Sequence, residues 1–215
     1  MAAEGFPGAD IHPQLSGACE AMVQAIDVAR HFLSLSQQES AKLGQESDLT
    51  HLKLQKLLYY AQAWSLVFND EPLFPEEIQA WERGPVTPVV WATFTKYERK
   101  PIAPETEARE CRALSQRQRE LLQYVWNSYK DYQPRDLSSR THLERPWLEA
   151  YKPGPDRRCE NPITLQAMKD FYTQEYERAC PAGMKLADLM RARQDVAHGR
   201  TVSLAKLKAE TGHGV

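Results

Sequence analysis

The sequence predicts a mainly α-helical protein: a compact helical domain with a short extended segment or hairpin around residues 76–86 and a C-terminal helical appendage. Three observations lead there. Apolar residues recur at three- and four-residue spacing over long stretches, the period of a helix with one buried face. Capping residues and prolines stand where those stretches begin and end. Two-residue alternation is confined to Ile78, Ala80 and Val86.

Residues 1–15 carry Gly5, Pro7, Gly8 and Pro13 and read as a loose tail. Ala18, Met22, Ala25, Ile26, Ala29, Phe32 and Leu33 form the first helical stripe, which is expected to end in the polar stretch 36–47. Thr50 is a good N-cap for a second helix over about 50–68, with Leu54, Leu57, Leu58, Ala61 and Trp64 on one face. Tyr59, Tyr60, Leu66, Val67 and Phe68 make that helix apolar nearly all the way round, so it should be central. Pro72 and Pro75 break it. Thr87 followed by Pro88 is a cap with proline at the first helical position, opening a helix to Tyr97.

Ser115 and Gln118 form a capping-box pattern ahead of Leu121, Leu122, Val125 and Tyr129. Pro134 ends that helix, Asp136 or Ser138 is expected to start a short one, and Pro146 begins the next at Trp147. The string KPGPDRR at 152–158 has the composition of an exposed loop. A further helix follows from Thr164 to about Ala179, with Met168, Phe171 and Tyr172 inward. The organisation is thus a tail at 1–15, a helical domain at 16–180 and an appendage at 183–215.

Composition narrows the function. Hydrophobic residues at 42% and charged residues at 26% describe a folding globular chain, and a net charge of -2 lacks the basic excess of a nucleic-acid-coating protein. No basic start precedes an apolar run, and the window 59–68 is far short of the ~20 apolar residues of a membrane span. A cytoplasmic location without membrane contact is expected. Four cysteines without a CxxC and six histidines without ligand spacing give no metal site, and no cofactor is expected.

No phosphate loop, dinucleotide fingerprint, zinc-protease helix or nucleophile elbow occurs, so the chain is not expected to be an enzyme. His142 beside Glu144 could form an acid-base pair; alternatively both satisfy backbone groups around the Pro146 helix start. The string QAWERGPV at 79–86 is more unusual. Trp81 and Arg83 are typical interface anchors, and Gly84 before Pro85 lets another backbone approach closely. The competing reading packs Trp81 in the core and leaves Gly84-Pro85 to shape a turn.

Three strings in order, LTHLKLQKLLYYAQAW (49–64), PLFPEEIQAWERGPVTPVV (72–90) and LSSRTHLERPWLEA (137–150), resemble the Panacea antitoxin domain, whose family includes SocA-like antitoxins that act as proteolytic adaptors. The resemblance covers roughly residues 20–175. It implies a small helical antitoxin that neutralises a toxin by direct binding, encoded beside it in a bacterial or prophage pair and active in phage defence. The implied partner is a cognate toxin protein, with an ATP-dependent protease and a second copy of the chain as further partners; nucleic acid is not expected. Residues expected to be presented to a partner are Gln55, Lys56, Tyr59, Tyr60, Trp81, Arg83, Gly84, Pro85 and Val86, while Leu54, Leu57, His142, Pro146 and Trp147 are expected to be structural.

The segment LADLMRARQDVAHGRTVSLAKLKAE (186–210) is similar to the endings of RelB-type antitoxins. Leu189 and Arg193 on its helical face are expected to supply a second partner contact. Its alternative is an amphipathic helix docked on the main domain. Two short helices around Gly199 also suggest DNA binding, but six Lys/Arg against three acids over residues 183–215 is a small basic excess.

Overall fold

A computed structural model describes residues 23–103 and 114–179. The tail at 1–15, the start of the first stripe at Ala18 and Met22, and the appendage with Leu189 and Arg193 lie outside the described residues. Within them the fold is mainly α. In order along the chain come α1 (Ala25–Leu43), α2 (His51–Phe68), β1 (Gln79–Trp81), β2 (Gly84–Val86), α3 (Pro88–Phe94), a 3-10 turn (Thr95–Tyr97), α4 (Gln116–Tyr129), α5 (Pro134–His142), α6 (Arg145–Ala150) and α7 (Leu165–Ala179).

The apolar stripes place α2 at the centre, with α1, α4, α5 and α7 packed round it. Fourteen of its eighteen residues are buried, which leaves no solvent face. Leu54 and Leu57 are fully buried, each worth about 1.5–3 kcal/mol of apolar burial. Thr50 caps the helix, its hydroxyl accepting from the Lys53 N–H at 3.4 Å. Trp64 is half-buried and packs against the core through its rings rather than within it.

Local sequence explains most of the boundaries. The capping box at Ser115 and Gln118 is formed in both directions, and Pro88 opens α3, although the Thr87 hydroxyl makes no cap bond. Two boundaries differ from expectation. Helix α1 runs through the polar stretch to Leu43 and ends at Gly44, whose φ of 64° permits the left-handed turn that stops it. Helix α5 starts at Pro134 rather than at Asp136 or Ser138, because proline's fixed φ and missing N–H suit the first helical position.

The extended segment is a two-residue-turn hairpin. Gln79 pairs with Val86, Ala80 with Pro85 and Trp81 with Gly84. On the outer side of β1, the Ala80 N–H donates to the Asn161 carbonyl at 2.9 Å and the Ile163 N–H to the Ile78 carbonyl at 2.8 Å. The chain entering α7 thereby covers that edge. Among the described residues no helix is long and apolar enough to cross a membrane.

Candidate functional site

Hairpin β1–β2 is held by side chains from the helices around it. Lys56 Nζ donates to the Pro85 carbonyl at 3.0 Å, Ser138 Oγ to the Arg83 carbonyl at 2.7 Å, and Trp147 Nε1 to the Trp81 carbonyl at 3.0 Å. Gln55 Oε1 accepts the Thr87 N–H at 2.7 Å. Four polar groups from α2, α5 and α6 thus satisfy a backbone that has only one short ladder of its own. Leaving any of them buried and unpaired costs about 1–3 kcal/mol.

Gly84 is the point of closest approach. Its φ is 98°, and a Cβ there would lie 2.6 Å from Lys56 Nζ and 2.7 Å from Thr141 Oγ1. Thr141 is fixed in turn, its hydroxyl donating to the Ser138 carbonyl at 2.8 Å. Glycine is therefore required on two counts, backbone conformation and space.

Lys56 is fully buried, and that burial lowers its pKa to about 7 against the opposing pull of the Glu144 carboxylate. Glu144 is buried too, with Oε1 accepting from Tyr60 at 3.2 Å and Oε2 from Tyr172 at 2.7 Å; Arg140 Nε lies 3.8 Å from Oε1. Burial raises the Glu144 pKa, and the tyrosine hydroxyls oppose the shift. Tyr60 stacks on Tyr129 at 3.9 Å, which closes the cluster from the α4 side. The His142–Glu144 pair is not assembled for proton transfer. No hydrogen bond joins them, and the His142 ring packs 4.2 Å from Trp147 beside the hairpin.

The expected site residues therefore divide. Gln55, Lys56, Tyr59 and Tyr60 are not presented at the surface but buried, because α2 is surrounded on every side. Gly84, Pro85 and Val86 are buried as well, beneath the turn they shape. Trp81 is half-buried and Arg83 exposed, so the outward part of the hairpin is its tip. Leu54, Leu57, Pro146 and Trp147 are buried, and His142 is partly so.

Beside the tip lies a groove of about 1160 Å³ between β1–β2, the start of α2, α3 and the start of α5. Trp81 and Trp91 form its wall with ring centroids 5.3 Å apart, and His51 stands 6.0 Å from Trp91. Trp81 is pinned from both ends, its Nε1 donating to Gln79 Oε1 at 2.9 Å while its carbonyl receives Trp147. Burial, and then the nearby Lys56 ammonium, push the His51 pKa down to about 4, so it is neutral at physiological pH. Trp91, His51, Arg99 and Arg135 were not legible as site residues, since they come together only when α2, α3 and α5 meet. A smaller depression of about 490 Å³ shares Trp81, Glu82 and Trp91 and continues the groove toward residues 156–160.

Comparison with known proteins adds a family to this geometry. Residues 54–148 match the family described as Antitoxin SocA-like, Panacea domain. Antitoxin SocA of Caulobacter vibrioides (strain NA1000 / CB15N) is 39% identical over 72 residues, which are 34% of this chain and 37% of that protein. The match thus spans little more than a third of the relative's length. No solved structure matches the chain significantly. The stretch from α2 through the hairpin and its clasps to α6, residues 54–148, is similar to the SocA-like Panacea domain.

Proposed function

We propose that this protein is an antitoxin of a bacterial or prophage toxin-antitoxin pair, acting in the cytoplasm by binding its toxin directly. The contact surface is the hairpin tip and the groove beside it, with Trp81, Trp91 and Arg83 as anchors. Residues 16–180 form the binding domain, and Leu189 and Arg193 in the segment 183–215 add a second contact.

The observation that carries this reading is the pre-organisation of the hairpin. Lys56, Ser138 and Trp147 bond its backbone and Gln55 the Thr87 N–H that follows it, leaving Glu82 and Arg83 exposed at the tip beside half-buried Trp81. Tryptophan and arginine are the commonest interface anchors, and a tryptophan already pinned in place loses little entropy when it docks. That this surface lies within a stretch similar to antitoxins supports a toxin as the partner. Co-expression with the adjacent open reading frame tests it, scored by growth rescue and co-purification. Trp81→Ala should weaken the complex by about 2 kcal/mol or more. Full rescue by a Trp81→Ala, Arg83→Ala double variant with unchanged affinity would remove the hairpin tip from the interface.

A further inference from the structure

We propose that the groove receives an acidic segment of the bound toxin, its carboxylates taken by Arg83, Arg99 and Arg135 while a neighbouring apolar side chain lies against Trp81 and Trp91. The proposal rests on the antitoxin reading and names the chemistry of its partner.

The cations lining the groove are all arginine, with no lysine among them. Arginine's planar fork meets a carboxylate with two parallel hydrogen bonds and is more weakly hydrated than an ammonium, which is why it prevails at interfaces. Among the described residues none of the three is in an ion pair, although Arg140, Arg145, Arg157, Arg158 and Arg178 each face a carboxylate. The groove's acids are more committed. Glu82 pairs with Arg157 at 3.6 Å, and Asp136 sits in the first turn of α5, where the helix dipole favours negative charge. Glu98 and Asp136 have no ion-pair partner among the described residues, and neutral His51 adds no charge. Three unpaired arginines thus stand against two unpaired carboxylates, an excess of one positive charge.

Shape and charge together select a polypeptide. A groove of about 1160 Å³ that continues past the tryptophan pair exceeds the roughly 300–1,000 Å³ of common small-molecule sites. Glu82, Glu98 and Asp136 line it together with the arginines, a mixed lining that suits separate carboxylates spaced along a chain better than the continuous negative charge of a nucleic-acid backbone. The net charge of -2 points the same way.

The test uses the full chain and the product of the adjacent open reading frame in calorimetric titration. The R83E/R99E/R135E variant should keep the wild-type melting temperature and lose at least about tenfold in affinity, and wild-type affinity should fall with added salt. R145E, which alters an exposed arginine outside the groove, should bind as wild type. Should the triple reversal unfold, R83Q/R99Q/R135Q carries the same expectation of weaker binding. Wild-type affinity in the folded variant, or equal loss in R145E, overturns the proposal. So does displacement of the toxin by a 20-nucleotide single-stranded RNA that binds the wild type and not the triple variant. Absence of any complex with the wild type fails the antitoxin reading itself, whereas a complex indifferent to the arginines fails only the acidic segment.

Discussion

The hairpin clasp and the tyrosine cluster both bury a charge, and they use their polar groups in opposite ways. In the clasp, Lys56, Gln55, Ser138 and Trp147 distribute single hydrogen bonds along the backbone of a short irregular segment. In the cluster, Tyr60 and Tyr172 converge on one carboxylate, Glu144, while their rings pack edge-on with centroids 6.2 Å apart. The first arrangement fixes a surface; the second fills an interior. A buried polar residue therefore says little about function until the group it satisfies is known. Those around the hairpin hold half-buried Trp81 and exposed Arg83, whereas those around Glu144 hold helices together.

The largest expected effect breaks the cluster. Tyr60 is fully buried, stacked on Tyr129 and bonded to Glu144. Tyr60→Ala should cost about 3–5 kcal/mol, measured by urea unfolding, because it leaves both a cavity and an undersatisfied carboxylate. A loss below about 1 kcal/mol would mean that the cluster is not close-packed.

The clasp is broken next by Gly84→Ala. A non-glycine residue at φ 98° is strained by about 1–3 kcal/mol, and the new methyl must displace Lys56 Nζ or the stiff Thr141 hydroxyl, adding overpacking of similar size. A total of about 2–4 kcal/mol is expected. The variant should also bind the proposed toxin partner more weakly per folded molecule, since the hairpin tip shifts. Unchanged affinity in the folded fraction would separate the clasp from binding.

How much of this could be read from sequence follows from the range of the forces involved. The Thr50 cap, the Ser115–Gln118 box and proline at the start of α3 are local and were legible. Centrality of α2 was legible from apolar residues on all its sides. What those sides meet was not. A lysine and a glutamine suggest solvent by type, and only the return of the chain 29 residues after Lys56 makes its ammonium an interior donor. Glu144 likewise finds Tyr60 and Tyr172 at separations of 84 and 28 residues, beyond any spacing rule.

A subtler change sharpens the comparison through pH. Lys56 has a pKa of about 7 in the folded state against 10.5 unfolded, so the unfolded chain binds the extra proton between those values and folding stability rises with pH across that window. Lys56→Met removes the titration and leaves the Pro85 carbonyl without its donor. At pH 9 the variant should therefore be less stable than wild type by about 1–3 kcal/mol. The difference should shrink toward pH 6, where the wild type bears the burden of a buried ammonium. Parallel pH profiles for the two proteins would show that Lys56 does not titrate there. Glu144 acts in the other sense: its raised pKa makes the native state the better proton binder just above 4.5, so its contribution declines as pH rises through that range.

His142 should give the smallest effect, and it tests where the clasp ends and the binding surface begins. Its ring packs on Trp147, the residue that donates to the Trp81 carbonyl, and an aromatic contact of this kind is worth about 0.5–1.5 kcal/mol. Burial and then the Lys56 charge lower its pKa, against a backbone hydrogen bond with Glu82 that raises it. Below the unfolded value of 6.5 the unfolded chain therefore takes up the proton first, and stability falls as the solution is acidified, with His51 adding a loss of the same sign down to about 4. His142→Gln should lower stability at pH 7.5 by about 0.5–1.5 kcal/mol and flatten the part of the acid limb just below 6.5. Affinity for the proposed toxin partner per folded molecule should not change, because the glutamine alters the packing behind Trp147 and not the exposed tip. An unchanged melting temperature with lost protection would instead make His142 part of the contact surface, and the boundary between clasp and interface would then run through α5 rather than along the hairpin.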